Sequence, residues 1–217
     1  MLSMILNTIY PPKCILCDKI LSKDETDLCR NCRVEAPEAT KTKIKFSFVA
    51  GWTAVWYYKE KVRDSILRYK FRSRRNYAVA YGRLLAMKIQ REEMDDFQLL
   101  TWVPVSRRRR FRRGFDQAKL LTRYVGRELG ISPVATLKKI RHTPPQSSLT
   151  EASARRANVL GAYRVIDPQQ VKGKRILLID DILTTGSTVS ECAKTLLLAG
   201  AADVRVATLA VAVHDKK

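Results

Sequence analysis

The sequence predicts an α/β chain in which a small metal-organised module precedes a parallel, doubly wound sheet. Three observations predict it. Four of the five cysteines stand in two close pairs before residue 40. Strand-like and helix-like segments alternate over the second half of the chain, the pattern of a parallel sheet with helical crossovers. One apolar strand, beginning at Ile176, runs into two acids and then into a small, hydroxylated loop that opens a helix.

Length and composition set the frame. At 217 residues the chain suits one medium domain plus an appendage, and 46% hydrophobic residues is ample for a core. No apolar run reaches the roughly 18–20 residues of a membrane span. MLSMILNTIY has neither a basic side chain nor a small-residue cleavage site. It reads as a short amphipathic helix with Leu2, Ile5, Leu6 and Ile9 on one face, docked on its own domain, rather than as a signal peptide. The formal net charge is +20, which favours polyanionic partners: nucleic acid, anionic lipid or a phosphorylated small molecule.

The elements follow in order. Cys14-x-x-Cys17 and Cys29-x-x-Cys32 are two knuckles whose four thiolates can close a tetrahedral site. Zinc prefers that set, in a structural role, because the segment is too short to build its own core. The zinc-binding module is expected at 1–45 and the α/β domain at 46–217. FSFVAGWTAVWYY, 46–58, predicts two short strands around Gly51. Val62, Ile66, Leu67 and Phe71 have helical spacing, and 76–94 is a second amphipathic helix. LLTWVPV is a strand, followed by a basic loop and a helix over about 115–130 that stops at Gly130. A short strand is expected near 134–140. Residues 141–150 are a loop because of two prolines, and a capping box from Ser148 to Glu151 opens a helix through about 159. AYRVI is a strand, KRILLID a buried strand, 186–199 a helix, and DVRVATLAV the last strand.

ILLIDDILTTGST carries the most chemistry. Four apolar residues build a strand buried on both faces. Asp180 and Asp181 follow at its C-terminal end, where open α/β sheets bind ligands. Thr184, Thr185, Gly186, Ser187 and Thr188 then turn into a helix, so backbone N–H groups and the helix dipole can converge on a phosphate. Two adjacent carboxylates make sense there only if the phosphate carries a sugar whose hydroxyls they receive.

This run resembles the signature of type I phosphoribosyltransferases. Two further segments narrow the resemblance: WVPVSRRRRFRRGFDQAKLL at 102–121, and HTPPQSSLTEASARRANVLGAYRV at 142–165, with Gln146, Arg155 and Asn158 in the spacing Thr-Pro-x-Gln and Arg-x-x-Asn. With the cysteine module ahead of them, the whole chain resembles the ComF family, which is associated with natural transformation. The resemblance implies that Thr184 to Thr188 hold the 5-phosphate of 5-phosphoribosyl-1-pyrophosphate (PRPP), while Asp180 and Asp181 contact the ribose. It implies that the loop near Val105 to Arg107 holds the diphosphate, with Arg107 supplying charge and magnesium neutralising the leaving group. It places Arg141 and Gln146 on a mobile loop that closes over the site, as catalytic candidates beside the two acids. Asp116 stands where the family usually has Asn in RGFNQ, which puts any base-binding role there in doubt.

Two basic runs remain. Arg107 to Arg110 with Arg112 and Arg113 form one. Arg68, Lys70, Arg72, Arg74 and Arg75 form another, interleaved with Tyr69, Phe71 and Tyr77. Basic and aromatic residues side by side suit single-stranded DNA, while the plain alternative is core aromatics under a solvated charged face. Arg72, Arg74, Arg75, Arg108, Arg110, Arg112 and Arg113 are the nucleic-acid candidates. The expected protein is cytoplasmic, or peripheral to the inner face of the membrane, and a competence helicase is a candidate partner. Two other readings stay open: a nucleobase-salvage phosphoribosyltransferase, and a non-catalytic PRPP-sensing nucleic-acid binder.

Overall fold

The structure is a computed structural model that describes residues 11–40, 44–72, 74–141 and 157–212. The amphipathic N-terminal stretch, the Ser148–Glu151 capping box and Gln146 lie outside the described residues.

The first helix, α1 (Arg30–Glu35), carries the second cysteine pair. Strand β1 (Gly51–Tyr57) follows, then helices α2 (Glu60–Phe71) and α3 (Tyr77–Arg91) and strand β2 (Leu99–Trp102). Next come α4 (Arg107–Arg113), α5 (Gln117–Leu129), β3 (Leu137–Lys139) and β4 (Tyr163–Val165). The chain ends through α6 (Pro168–Val171), β5 (Arg175–Leu183), α7 (Ser187–Leu198) and β6 (Asp203–Val211).

Four strands form one parallel sheet in the order β1-β6-β5-β2. Pleating sends alternate side chains to opposite faces. Leu177 and Ile179 enter the core beneath α3 and α5, while Ile176 and Leu178 enter the core beneath α7. Covered on both faces, β5 can be apolar throughout its first half, as the doubly wound prediction requires.

Three expectations are corrected. Residues 46–58 hold one strand, not two: Phe46 to Ala50 turn instead, so that Phe46 packs on the loop at Gly186 and edge-on to Trp52. The basic loop after β2 is helical. Ser106 caps α4 through the Arg109 N–H, and Gly114 ends it in the left-handed region at φ 75°. The strands near 134–140 and 162–166 pair antiparallel with each other, outside the parallel sheet.

The cysteine module shares its core with the sheet domain. Ile15, Leu16, Leu21 and Leu28 pack in the same cluster as Trp56, Val62, Ile66, Tyr69 and Tyr81. Residues 37–39 run antiparallel to β1, with Ala39 N–H donating to Val55 and Tyr57 N–H to Pro37. This covers what would otherwise be a bare sheet edge. No helix among the described residues is long and apolar enough to cross a membrane.

Candidate phosphoribosyl site and zinc knuckle

The C-terminal ends of β2 and β5 open into a cleft of about 440 Å³. Its floor is the turn from β5 to α7. Gly186 sits at φ 75°, and a Cβ there would collide with the Phe46 ring, so only glycine fits. The Thr185 and Ser187 hydroxyls are 2.8 Å apart. Thr184 to Thr188 all line the cleft at the start of a 12-residue helix, the arrangement that attracts an anion.

Asp180 and Asp181 both line the cleft, and the β5–β6 register that holds through Asp180 resumes unshifted at Ile182. The pleat therefore sends them to opposite faces of the sheet. Asp181 faces α2, where Lys70 Nζ pairs with it at 2.9 Å. Asp180 accepts a 2.8 Å hydrogen bond from the Asp181 N–H. Enclosure by protein, and then the neighbouring Asp181 charge, push the Asp180 carboxyl up to about 8. Lys70 sets a positive charge directly against the acid pair.

Cations complete the walls. Lys139, at the end of β3, donates to the Tyr163 hydroxyl at 3.3 Å. Burial and then the Arg109 charge bring its ammonium down to about 8. Arg109 and Arg113 of α4 also line the cleft. Burial, followed by Arg113, lowers the pKa of Arg109. Positive groups crowded in a partly desolvated cleft provide a preorganised field for a polyanion.

The expected residues divide accordingly. Asp180, Asp181 and Thr184 to Thr188 converge on the cleft. Arg107 is exposed outside its lining, and Arg109 and Arg113 take the inward places. A helix puts positions four apart on one face and sends the residues between them elsewhere. A sequence reading that expected a loop had no face to assign. Arg141 is also outside the lining. Its guanidinium donates to the carbonyls of Asn158 and Leu160 at 3.3 and 2.6 Å. Asp116 caps α5 through the Lys119 N–H at 3.0 Å and accepts from the Val105 N–H at 3.4 Å. Lys139 and Tyr163 were missed, since an isolated Lys on a three-residue strand leaves no periodic signal.

The second basic run is mostly structural. Tyr69 and Tyr77 are core residues, not stacking platforms. Arg68 donates to the carbonyls of Ile15 and Leu16 and pairs with Asp18 at 3.3 Å. Arg75 donates to Gly114 O at 2.8 Å and lies 5.0 Å over the Phe115 ring. Arg72, Arg74, Arg108, Arg110 and Arg112 are exposed, and Arg113 is half-buried.

The Sγ atoms of Cys14, Cys17, Cys29 and Cys32 lie within 4.8 Å of one another, and Cys17 and Cys29 are 3.7 Å apart. Four thiolates around zinc at about 2.3 Å stand roughly 3.8 Å apart, so the donor set fits zinc in a closed, structural site. Cys192 is buried in α7, apart from this group.

The comparisons with known proteins match both parts of the chain. The phosphoribosyl transferase domain family matches residues 112–217, and the double zinc ribbon domain family matches residues 5–43. The DNA utilization protein YhgH of Escherichia coli O157:H7 is 33% identical over 205 residues, 89% of this chain and 87% of that protein. The same-named protein of Salmonella typhimurium is 37% identical over 142 residues, 63% of this chain and 61% of that protein. Competence protein F of Haemophilus influenzae is 30% identical over 84% of this chain and 77% of that protein. Competence protein ComFC of Bacillus subtilis is 27% identical over 81% of this chain and 68% of that protein. A glutamine PRPP amidotransferase from B. subtilis superimposes with a TM-score of 0.45 at 21% identity, covering 65% of this chain and 30% of that one, a likeness too slight to add to the assignment. With a zinc ribbon ahead of a type I phosphoribosyltransferase domain, and relatives matched along most of its length, the chain belongs to the ComF family.

Proposed function

We propose that the cleft binds PRPP together with magnesium, and that the protein serves the handling of incoming single-stranded DNA during natural transformation. The observation that carries the first half is the meeting of the acid pair, the 184–188 loop and Lys70, Arg109, Arg113 and Lys139 in one cleft. The names of the relatives, competence and DNA utilization proteins, support the second half.

Each group has a role that its surroundings suit. The loop and the N-terminus of α7 take the 5-phosphate. Asp181 accepts from a ribose hydroxyl. Asp180, protonated at neutral pH, donates a hydrogen bond and adds no charge beside the phosphates. Arg109, Arg113 and Lys139 take the diphosphate. Asp181 is a hard oxygen donor, and Asp180 would become a second one where the ion displaces its proton, a set that fits magnesium. When bound, the ion supplies charge that stabilises the departing diphosphate. In transfer, a nitrogen acceptor bonds to ribose C1 as the C1–O bond to diphosphate breaks, and pyrophosphate leaves. Preorganised cations favour the charge that develops on it.

Calorimetric titration of PRPP with magnesium, with and without single-stranded DNA, tests the reading. Asp180→Asn with Asp181→Asn should abolish binding while zinc content stays stoichiometric. Unchanged PRPP affinity in that variant would remove the ribose assignment.

A further inference from the structure

Helix α4 is unlike the others described here. Six of its seven residues are arginine, the seventh is Phe111, and none is buried. Helical geometry gives it two faces. Arg109 and Arg113 turn into the cleft, while Phe111, two positions from each of them, turns away. Phe111 is 92% exposed, the most exposed large apolar side chain among the described residues. A bare aromatic ring in a ring of guanidinium groups has no role in the fold.

The helix also crowds like charges together. Arg108 and Arg112 are four apart, as are Arg109 and Arg113, and like charges at that spacing oppose helix formation. The charges nonetheless stay together, held by the Ser106 cap, the Gly114 turn and the Arg75 bond to Gly114 O. A bound polyanion relieves this repulsion. At the cleft edge a second aromatic, Phe71, is 56% exposed, with the Arg113 guanidinium 4.9 Å over its ring.

We propose that the outward face of α4 is a docking site for a single-stranded polynucleotide, with Phe111 stacking on an unpaired base and Arg107, Arg108, Arg110 and Arg112 contacting its phosphates. The site locates the DNA handling assigned above and rests on that reading. The geometry selects the partner. Seven residues with one apolar side chain make no apolar face to lie in a bilayer interface. A ring on a convex surface can stack on a free base, whereas duplex bases are already stacked. Phosphate contacts supply affinity without sequence readout, and the stacked base supplies the preference for single strands. Because the inward face of the same helix lines the cleft, the strand is held at the mouth of the phosphoribosyl site.

The test is fluorescence anisotropy of a labelled oligodeoxythymidine with the full chain, in parallel with its duplex and with anionic phosphatidylglycerol vesicles. Phe111→Ala should weaken single-strand binding about tenfold with little change for duplex, and Phe111→Trp should restore it. Arg108→Gln with Arg110→Gln should weaken both and flatten the salt dependence by about two phosphate contacts. Thermal melting controls for folding. Wild-type affinity in Phe111→Ala, equal affinity for single strand and duplex, or binding to vesicles alone would overturn the proposal. If wild type binds single strands and Phe111→Ala does so equally, this site falls but the DNA reading stands. If wild type binds none, both fall, and PRPP titration still judges the cleft separately.

Discussion

Lys70 and Asp181 form an ion pair at 2.9 Å inside the cleft, with side chains only 14% and 13% exposed. The pair ties α2 to the C-terminal end of β5. On the same helix, Ser65 Oγ donates to Ile15 O, and Arg68 reaches Ile15 O, Leu16 O and Asp18 on the zinc knuckle. Helix α2 therefore touches the metal module through Ser65 and Arg68 and the acid pair through Lys70, within a turn and a half of one another.

Removing the lysine should be costly because it strands a buried carboxylate. Lys70→Met is expected to lower stability by about 3 kcal/mol in urea unfolding. The double variant Lys70→Met/Asp181→Asn should lose clearly less than the sum of the single losses, because the second change removes the stranded charge. Strict additivity would show that the two side chains are not coupled.

Asp180 makes the ligand-free protein sensitive to pH. Its carboxyl is lifted from 3.8 to about 8 by burial and by Asp181. Below about 4 both folded and unfolded chains hold the proton, and between about 4 and about 8 only the folded chain does. The folded state binds the extra proton, so stability is lost as pH rises through that window. The melting temperature of wild type should fall over this range more than that of Asp180→Asn. Parallel profiles for the two proteins would contradict the buried, protonated acid.

Zinc should be felt in the cleft. Cys29→Ser removes one of four thiolates and is expected to release the metal, since so small a module has little core of its own. Hydrogen exchange should then speed up in residues 14–32, and also in α2, whose Ser65 and Arg68 lose fixed carbonyl partners. PRPP binding should weaken through the displaced Lys70. Full zinc retention by the variant would contradict the four-thiolate site, and unchanged exchange in α2 would contradict the mechanical link.

The sequence by itself determined the parts whose signals are local. The cysteine spacing gave the metal knuckle, because two close pairs fix four thiolates within reach of one ion. The apolar run of β5 and the small hydroxylated turn after it gave a buried parallel strand and an anion-binding helix start, because strand periodicity and glycine permissiveness are written into neighbouring residues. The doubly wound sheet followed from alternating elements. What depended on distant neighbours had to await the tertiary structure. Phe46 leaves its expected strand because Gly186 offers a surface for its ring. Arg107 to Arg113 become helical because Ser106 and Gly114 cap both ends, and the helix then decides which arginines enter the cleft. Tyr69 and Tyr77, equally basic-flanked and aromatic in sequence, are core because Tyr69 packs on Tyr81 and Phe115 and donates to Gln117 O, while Tyr77 packs on Tyr81 and donates to Asp18 of the zinc module. Lys70 meets Asp181, and Lys139 meets Tyr163, across sequence distances that no periodicity spans. Propensity and spacing act within a few residues, whereas burial and charge pairing act across space, and the cleft is built mainly from the second kind.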